Sequence, residues 1–84
     1  MKKIAYTRDA LNALSRMPAK TAKLIRAKIE QYAAAPASLA ANVRKLQGRT
    51  GYRLRVGDYR VIFDDKGNVL EILEIGPRGS IYED

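Results

Sequence analysis

The stretch Gly51–Phe63, GYRLRVGDYRVIF, carries Arg53, Arg55 and Arg60 in segments that otherwise want apolar residues. A guanidinium is a permanent cation with five donors in a planar fork. It suits a phosphate or a carboxylate and is a poor proton acceptor. The chain contains no histidine and no cysteine. That excludes the usual general base, the commonest metal ligand, thiolate metal sites, disulfides and Ser-His or Cys-His pairs. Any chemistry therefore runs on Arg, Lys, Tyr, Asp or Glu.

The arginines can be placed by counting. Tyr52–Val56 and Tyr59–Asp64 read as strands joined by Gly57-Asp58, a two-residue connection with glycine first, which suits a type II′ turn. That turn puts Val56 opposite Tyr59, Arg55 opposite Arg60, Leu54 opposite Val61 and Arg53 opposite Ile62. Because side chains alternate along a strand, Tyr52, Leu54, Val56, Tyr59, Val61 and Phe63 share one face. Arg53, Arg55 and Arg60 share the other. Antiparallel sheets often solvate one face, but like charges directly opposite are destabilising. Arg55 against Arg60 is a poor choice for stability and a good one for gripping phosphate.

The elements that must hold this hairpin follow from periodicity. Lys2–Tyr6 reads as a short strand. Thr7 is a plausible N-cap for a helix from Arg8 to about Met17, with Ala10, Leu11, Leu14 and Met17 on its apolar side. Pro18 suits the first turn of a second helix. That helix carries Ala22, Ile25, Ile29, Tyr32 and Ala33 on one stripe, carries Lys20, Lys23, Arg26 and Lys28 on the other side, and stops by Pro36. The two form an antiparallel hairpin. Ala37–Asn42 is either a helical turn or a loop, Val43–Leu46 a short extended piece, and Gly48–Gly51 a turn. The third meander strand, Val69–Ile75, is apolar on both faces, as a central strand would be. Alternation puts Val69, Leu73 and Ile75 on one side and Leu70 and Ile72 on the other. Pro77 and Gly79 predict a turn after it. The first strand could pair either way. The class is α+β, with both helices packed on one face of the sheet.

The 84 residues point to one small domain, 1–84, with a modest core. The net charge of +7 divides unevenly, into +11 over residues 1–63 and −4 over residues 64–84. A basic body implies a polyanionic or acidic partner. No apolar run approaches the roughly 20 residues of a membrane span, and the N-terminus lacks the apolar segment of a signal peptide. A soluble cytoplasmic protein is expected, with no membrane partner, metal or cofactor.

These residues resemble the RelE/ParE superfamily of bacterial toxins across nearly the whole chain. The resemblance rests on strand and helical hairpin, Leu46-x-Gly48, the core Gly57-Asp58-Tyr59-Arg60-Val61, and the closing Arg78-x-x-Ile81-Tyr82. It looks closest to the RelE-type enzymes that cut mRNA in the ribosomal A site. The resemblance implies catalytic roles for Arg53, Arg55, Arg60, Arg78 and Tyr82. Arg60 and Arg78 would stabilise phosphate charge, and Arg53 and Arg55 would bind backbone and help the leaving group. Tyr82 would stack on a base or transfer a proton. Lys20, Lys23, Arg26, Lys45 and Arg49 are expected to contact RNA or the ribosome. The resemblance further implies a cognate antitoxin, with operator DNA bound only through it. A ParE-like toxin that binds DNA gyrase without cutting RNA is the alternative on the same fold.

Overall fold

The computed structural model describes residues 1–77. The order is β1 (Lys3–Tyr6), α1 (Arg8–Ser15), α2 (Ala19–Ala34), a 3-10 segment (Pro36–Asn42), β2 (Val43–Lys45), β3 (Tyr52–Val56), β4 (Tyr59–Asp65) and β5 (Val69–Pro77). One five-stranded sheet runs β1-β5-β4-β3-β2. β5 is central as its composition demands, and β1 joins it in parallel, with Lys3 opposite Val69 and Tyr6 opposite Ile72. The other pairings are antiparallel.

Both helices lie on one face. The Thr7 hydroxyl caps α1 by accepting from the Ala10 N–H at 3.1 Å, and donates to the Leu73 carbonyl at 2.8 Å. One residue thus starts the helix and ties it to the central strand. α1 ends at Ser15, earlier than the apolar spacing predicts, and Leu11 is 45% exposed instead of buried. α2 starts after Pro18 and buries Ile25, Ile29 and Ala33 against Leu54, Val56, Val61 and Phe63. Phe63 sits between Tyr32 and Tyr52, with ring centroids 5.1 and 5.6 Å away. Such aromatic contacts add stabilisation beyond the area they bury.

Two expectations for β5 are corrected. The strand continues through Gly76 to Pro77, which pairs with Tyr59 at the strand end. Its alternation is also broken. Phe63 faces Ile72 but Ile62 faces Glu74, so Leu73 is an extra residue, a β-bulge. The bulge shifts the pattern by one, so that Leu70, Ile72 and Ile75 all enter the core. Without it Ile75 would face the arginines and Glu74 the core. The bulged Leu73 supplies the carbonyl that takes the Thr7 hydroxyl.

The ends of the sheet are tied as well. Asp65 accepts from Lys2 Nζ at 2.8 and 3.0 Å and from the Gly67 N–H at 3.0 Å. The hydrogen bond from Lys2 holds the Asp65 carboxyl below its ordinary range. Gly51, at φ +118°, lies so close to β4 that a Cβ there would stand 2.9 Å from the Phe63 carbonyl oxygen.

Candidate functional site

The hairpin register is the one that turn counting gives: Arg53 faces Ile62, Leu54 faces Val61, Arg55 faces Arg60 and Val56 faces Tyr59. Gly57 has φ +59° and Asp58 is not left-handed, as a type II′ turn requires. Leu54, Val56, Val61 and Phe63 are buried beneath the helices. Arg53, Arg55 and Arg60 therefore share the opposite face, clear of the helical layer.

Pairing extends this face in both directions. On β2, Arg44 stands directly opposite Arg53. The sheet thus carries two adjacent like-charge pairs, Arg44 with Arg53 and Arg55 with Arg60. Sequence reasoning missed Arg44 because its strand is only three residues long and no turn rule fixes its register. The side of the sheet taken by Arg44 follows from β2 parity, which puts Val43 opposite Leu54 and Lys45 opposite Tyr52. Lys45, an expected RNA contact, accordingly belongs to the helix-side face, and Arg44 takes its place on the arginine face.

Ala41, Asn42, Arg44, Arg53 and Arg55 line a cleft of about 230 Å³. The end of the 3-10 segment forms one wall and the strand pair β2–β3 its floor. Arg60 is different: it is only 6% exposed. Its cross-strand partner on β5 is Gly76, itself buried. A cation in such low-dielectric surroundings exerts a stronger field on a nearby anion than one in water.

Arg49 is placed on the same side by its loop. Its Nη1 lies 3.7 Å from Glu74 Oε2, carrying the β2–β3 connection toward β5. Ile62 is fully buried although it faces away from the helices. Lys20, Lys23 and Arg26 are not brought to the site. They lie on α2, in the layer on the other side of the sheet, where Arg26 stacks 5.1 Å above the Tyr6 ring. Burial raises the Tyr6 pKa, and the adjacent Arg26 partly offsets this. Arg78 and Tyr82 lie outside the described residues. Among the described residues, no group of three potential metal-ligating side chains is found. No helix of the described residues is long and apolar enough to cross a membrane.

Comparison with known proteins gives this arrangement a family. The family model for the ParE toxin of the type II toxin–antitoxin system parDE matches residues 4–82. The chain belongs to this family of toxins, within the RelE/ParE superfamily. The toxin-fold chain in the archaeal RelE–RelB complex from Pyrococcus horikoshii OT3 is similar at 28% identity. The match covers 95% of this chain and 98% of that one, with a TM-score of 0.74. The intact E. coli RelBE toxin–antitoxin complex contains a chain 18% identical, covering 92% and 96%, at a TM-score of 0.73. YafQ from E. coli strain BL21(DE3) is 11% identical, covering 99% and 100%, at 0.79. The last two likenesses concern the fold alone. The search of curated protein sequences returned no match.

Proposed function

We propose that this toxin is a ribosome-dependent endoribonuclease that cleaves mRNA in the A site and so inhibits translation. The observation that carries the reading is the pair of like-charged cross-strand contacts, Arg44 with Arg53 and Arg55 with Arg60, on the helix-free face. Like charges set opposite each other are a poor choice for folding, and guanidinium groups on one face suit the anionic oxygens of a phosphodiester.

In the proposed reaction a ribose 2′-hydroxyl attacks the adjacent phosphorus and the 5′-oxygen leaves. The products are a cyclic phosphate and a 5′-hydroxyl. Negative charge grows on the non-bridging oxygens, and Arg60 stabilises it. Arg78 adds to the same charge, and Tyr82 stacks on a base. Arg53 and Arg55 grip the backbone and donate to the leaving oxygen, with Arg44 on the adjoining phosphate. In-line geometry depends on positioning, which the ribosome supplies by holding the message. The toxin's partners are then the ribosome, mRNA and a cognate antitoxin. An acidic antitoxin segment, disordered until bound, complements the basic body, and operator DNA is reached only through it.

The matching family is named for the ParE toxin, and the resemblance to ParE-like toxins carries a second reading, in which the chain binds DNA gyrase and cuts no RNA. Expression of the chain without antitoxin, with mRNA 5′ ends mapped in the presence and absence of translation, separates the two. Translation-dependent cuts within codons support the nuclease. Intact mRNA with gyrase-linked DNA breaks supports the alternative. Growth arrest that survives Arg60→Ala combined with Arg78→Ala overturns the assigned site.

A further inference from the structure

The proposed cleavage needs a proton acceptor, and the arginines cannot provide it. We infer that Glu74 is the general base, an assignment that rests on the nuclease reading. Parity and pairing place it. Glu74 faces Ile62, and Ile62 faces Arg53, so Glu74 shares the arginine face and lies in the same cross-strand row as Arg53. Gly76, two residues further along β5, faces Arg60. Glu74 is therefore the diagonal neighbour of Arg60. Diagonal neighbours lie about 7–8 Å apart, within reach of long side chains. Gly76 adds no side chain to this face of β5 between the two positions.

The other carboxylates of the described residues are placed elsewhere. Asp9 and Glu30 belong to the helical layer. Asp58 sits in the hairpin turn. Asp65 is held by Lys2 at 2.8 Å. Asp64 and Glu71 face each other toward the far end of the sheet, where Glu71 pairs with Lys66 at 3.1 Å. The helix-free face is thus divided into an arginine end and an acidic end. Glu74 is the carboxylate at the boundary. It is partly open to solvent, and its contact with Arg49 is 3.7 Å, longer than a hydrogen bond. A substrate hydroxyl can therefore still reach a carboxylate oxygen.

The step balances without a further reactant. The Glu74 carboxylate takes the 2′-hydroxyl proton as the O2′–phosphorus bond forms and the phosphorus–O5′ bond breaks. The leaving 5′-oxygen is protonated from solvent, and Glu74 returns its proton to solvent after the cyclic product departs. An ionised carboxylate beside the arginines also repels phosphate. The backbone is thereby kept on the arginine side, with its 2′-hydroxyl turned toward Glu74.

The test is single-turnover cleavage on programmed ribosomes by the full chain and its Glu74→Gln, Glu74→Ala, Glu71→Gln and Tyr82→Phe variants. Positioned bases contribute about 10²–10⁴-fold. Glu74→Gln is expected to lose at least about 100-fold in cleavage while ribosome binding holds or tightens. Glu71→Gln removes a charge from the same face and is expected to cut normally. Added imidazole should restore Glu74→Ala in proportion to its concentration, a rescue that a purely structural role would not show. Glu74→Gln cutting at the wild-type rate, a loss matched by weaker ribosome binding, or no imidazole response overturns the assignment. If only Tyr82→Phe abolishes cleavage, the base is Tyr82. A wild-type chain that cuts nothing defeats the nuclease reading itself.

Discussion

Arg55→Glu should stabilise the fold and disarm the toxin at once. Arg55 is exposed on β3 and faces the buried Arg60. Replacing it with glutamate turns a like-charge cross-strand pair into an opposite one. Such pairs contribute roughly 0.2–1 kcal/mol relative to alanine, with the reverse sign for like charges. The full swing is about 0.4–2 kcal/mol, and solvent screening on the Arg55 side reduces it to about 0.2–1 kcal/mol. For a domain of this size, 1 kcal/mol moves the melting temperature by about 4–8 °C. A rise of about 1–8 °C is expected.

The assay is thermal unfolding followed by circular dichroism in low salt and again at 1 M salt. Arg55→Thr serves as reference, because threonine relieves the repulsion with good β-propensity and supplies no attraction. The expected order of stability is Glu, then Thr, then Arg. The differences should shrink in 1 M salt, where the Debye length is about 3 Å. RNA cleavage should fall in the opposite order. If Arg55→Glu melts below Arg55→Thr in low salt, Arg55 and Arg60 do not repel in the free protein, and the reasoning that the arginine face is costly to folding fails.

Three further outcomes follow from particular contacts. Arg44→Ala should weaken binding to single-stranded RNA and flatten the dependence of log affinity on log salt by about 0.7, one phosphate's worth. Lys45→Ala, on the other face, should leave the slope unchanged in the same titration. Gly51→Ala should destabilise by about 1–3 kcal/mol in urea unfolding, because φ is +118° and the new Cβ would meet the Phe63 carbonyl at 2.9 Å. Lys2→Met should change the acid limb of stability. The Asp65 pKa is lowered from 3.8 in the folded chain, chiefly by Lys2. Its contribution is therefore present above about pH 4 and lost as pH falls through the lowered folded value. Urea unfolding at pH 6 and pH 3 should show a smaller difference for Lys2→Met than for the parent.

The arginine face was legible in the sequence where geometry is local, and obscure where it depends on partners distant in the chain. Two residues of turn, Gly57-Asp58, determine the register of β3 against β4, and with it the side taken by Arg53, Arg55 and Arg60. No comparable rule reaches Arg44. Its side follows only once β2 pairs with β3, across a six-residue connection that could have closed in more than one register. The β5 error has the same origin. Strict alternation holds within a strand but not through the bulge at Leu73, which exists because the Thr7 hydroxyl and the core both reward it. Val69–Ile75 has apolar residues on both faces, and the one mark of the shift is the spacing of Glu71 and Glu74, three apart and so on opposite faces under strict alternation. The consequence reaches the site. The one-residue slip turns Ile75 into the core and puts Glu74 and Gly76 on the arginine face. The residue that packing needs at position 75 thus places a carboxylate diagonally across from Arg60 and a buried glycine opposite it. That juxtaposition is a property of the bulge, not of the spacing of any motif.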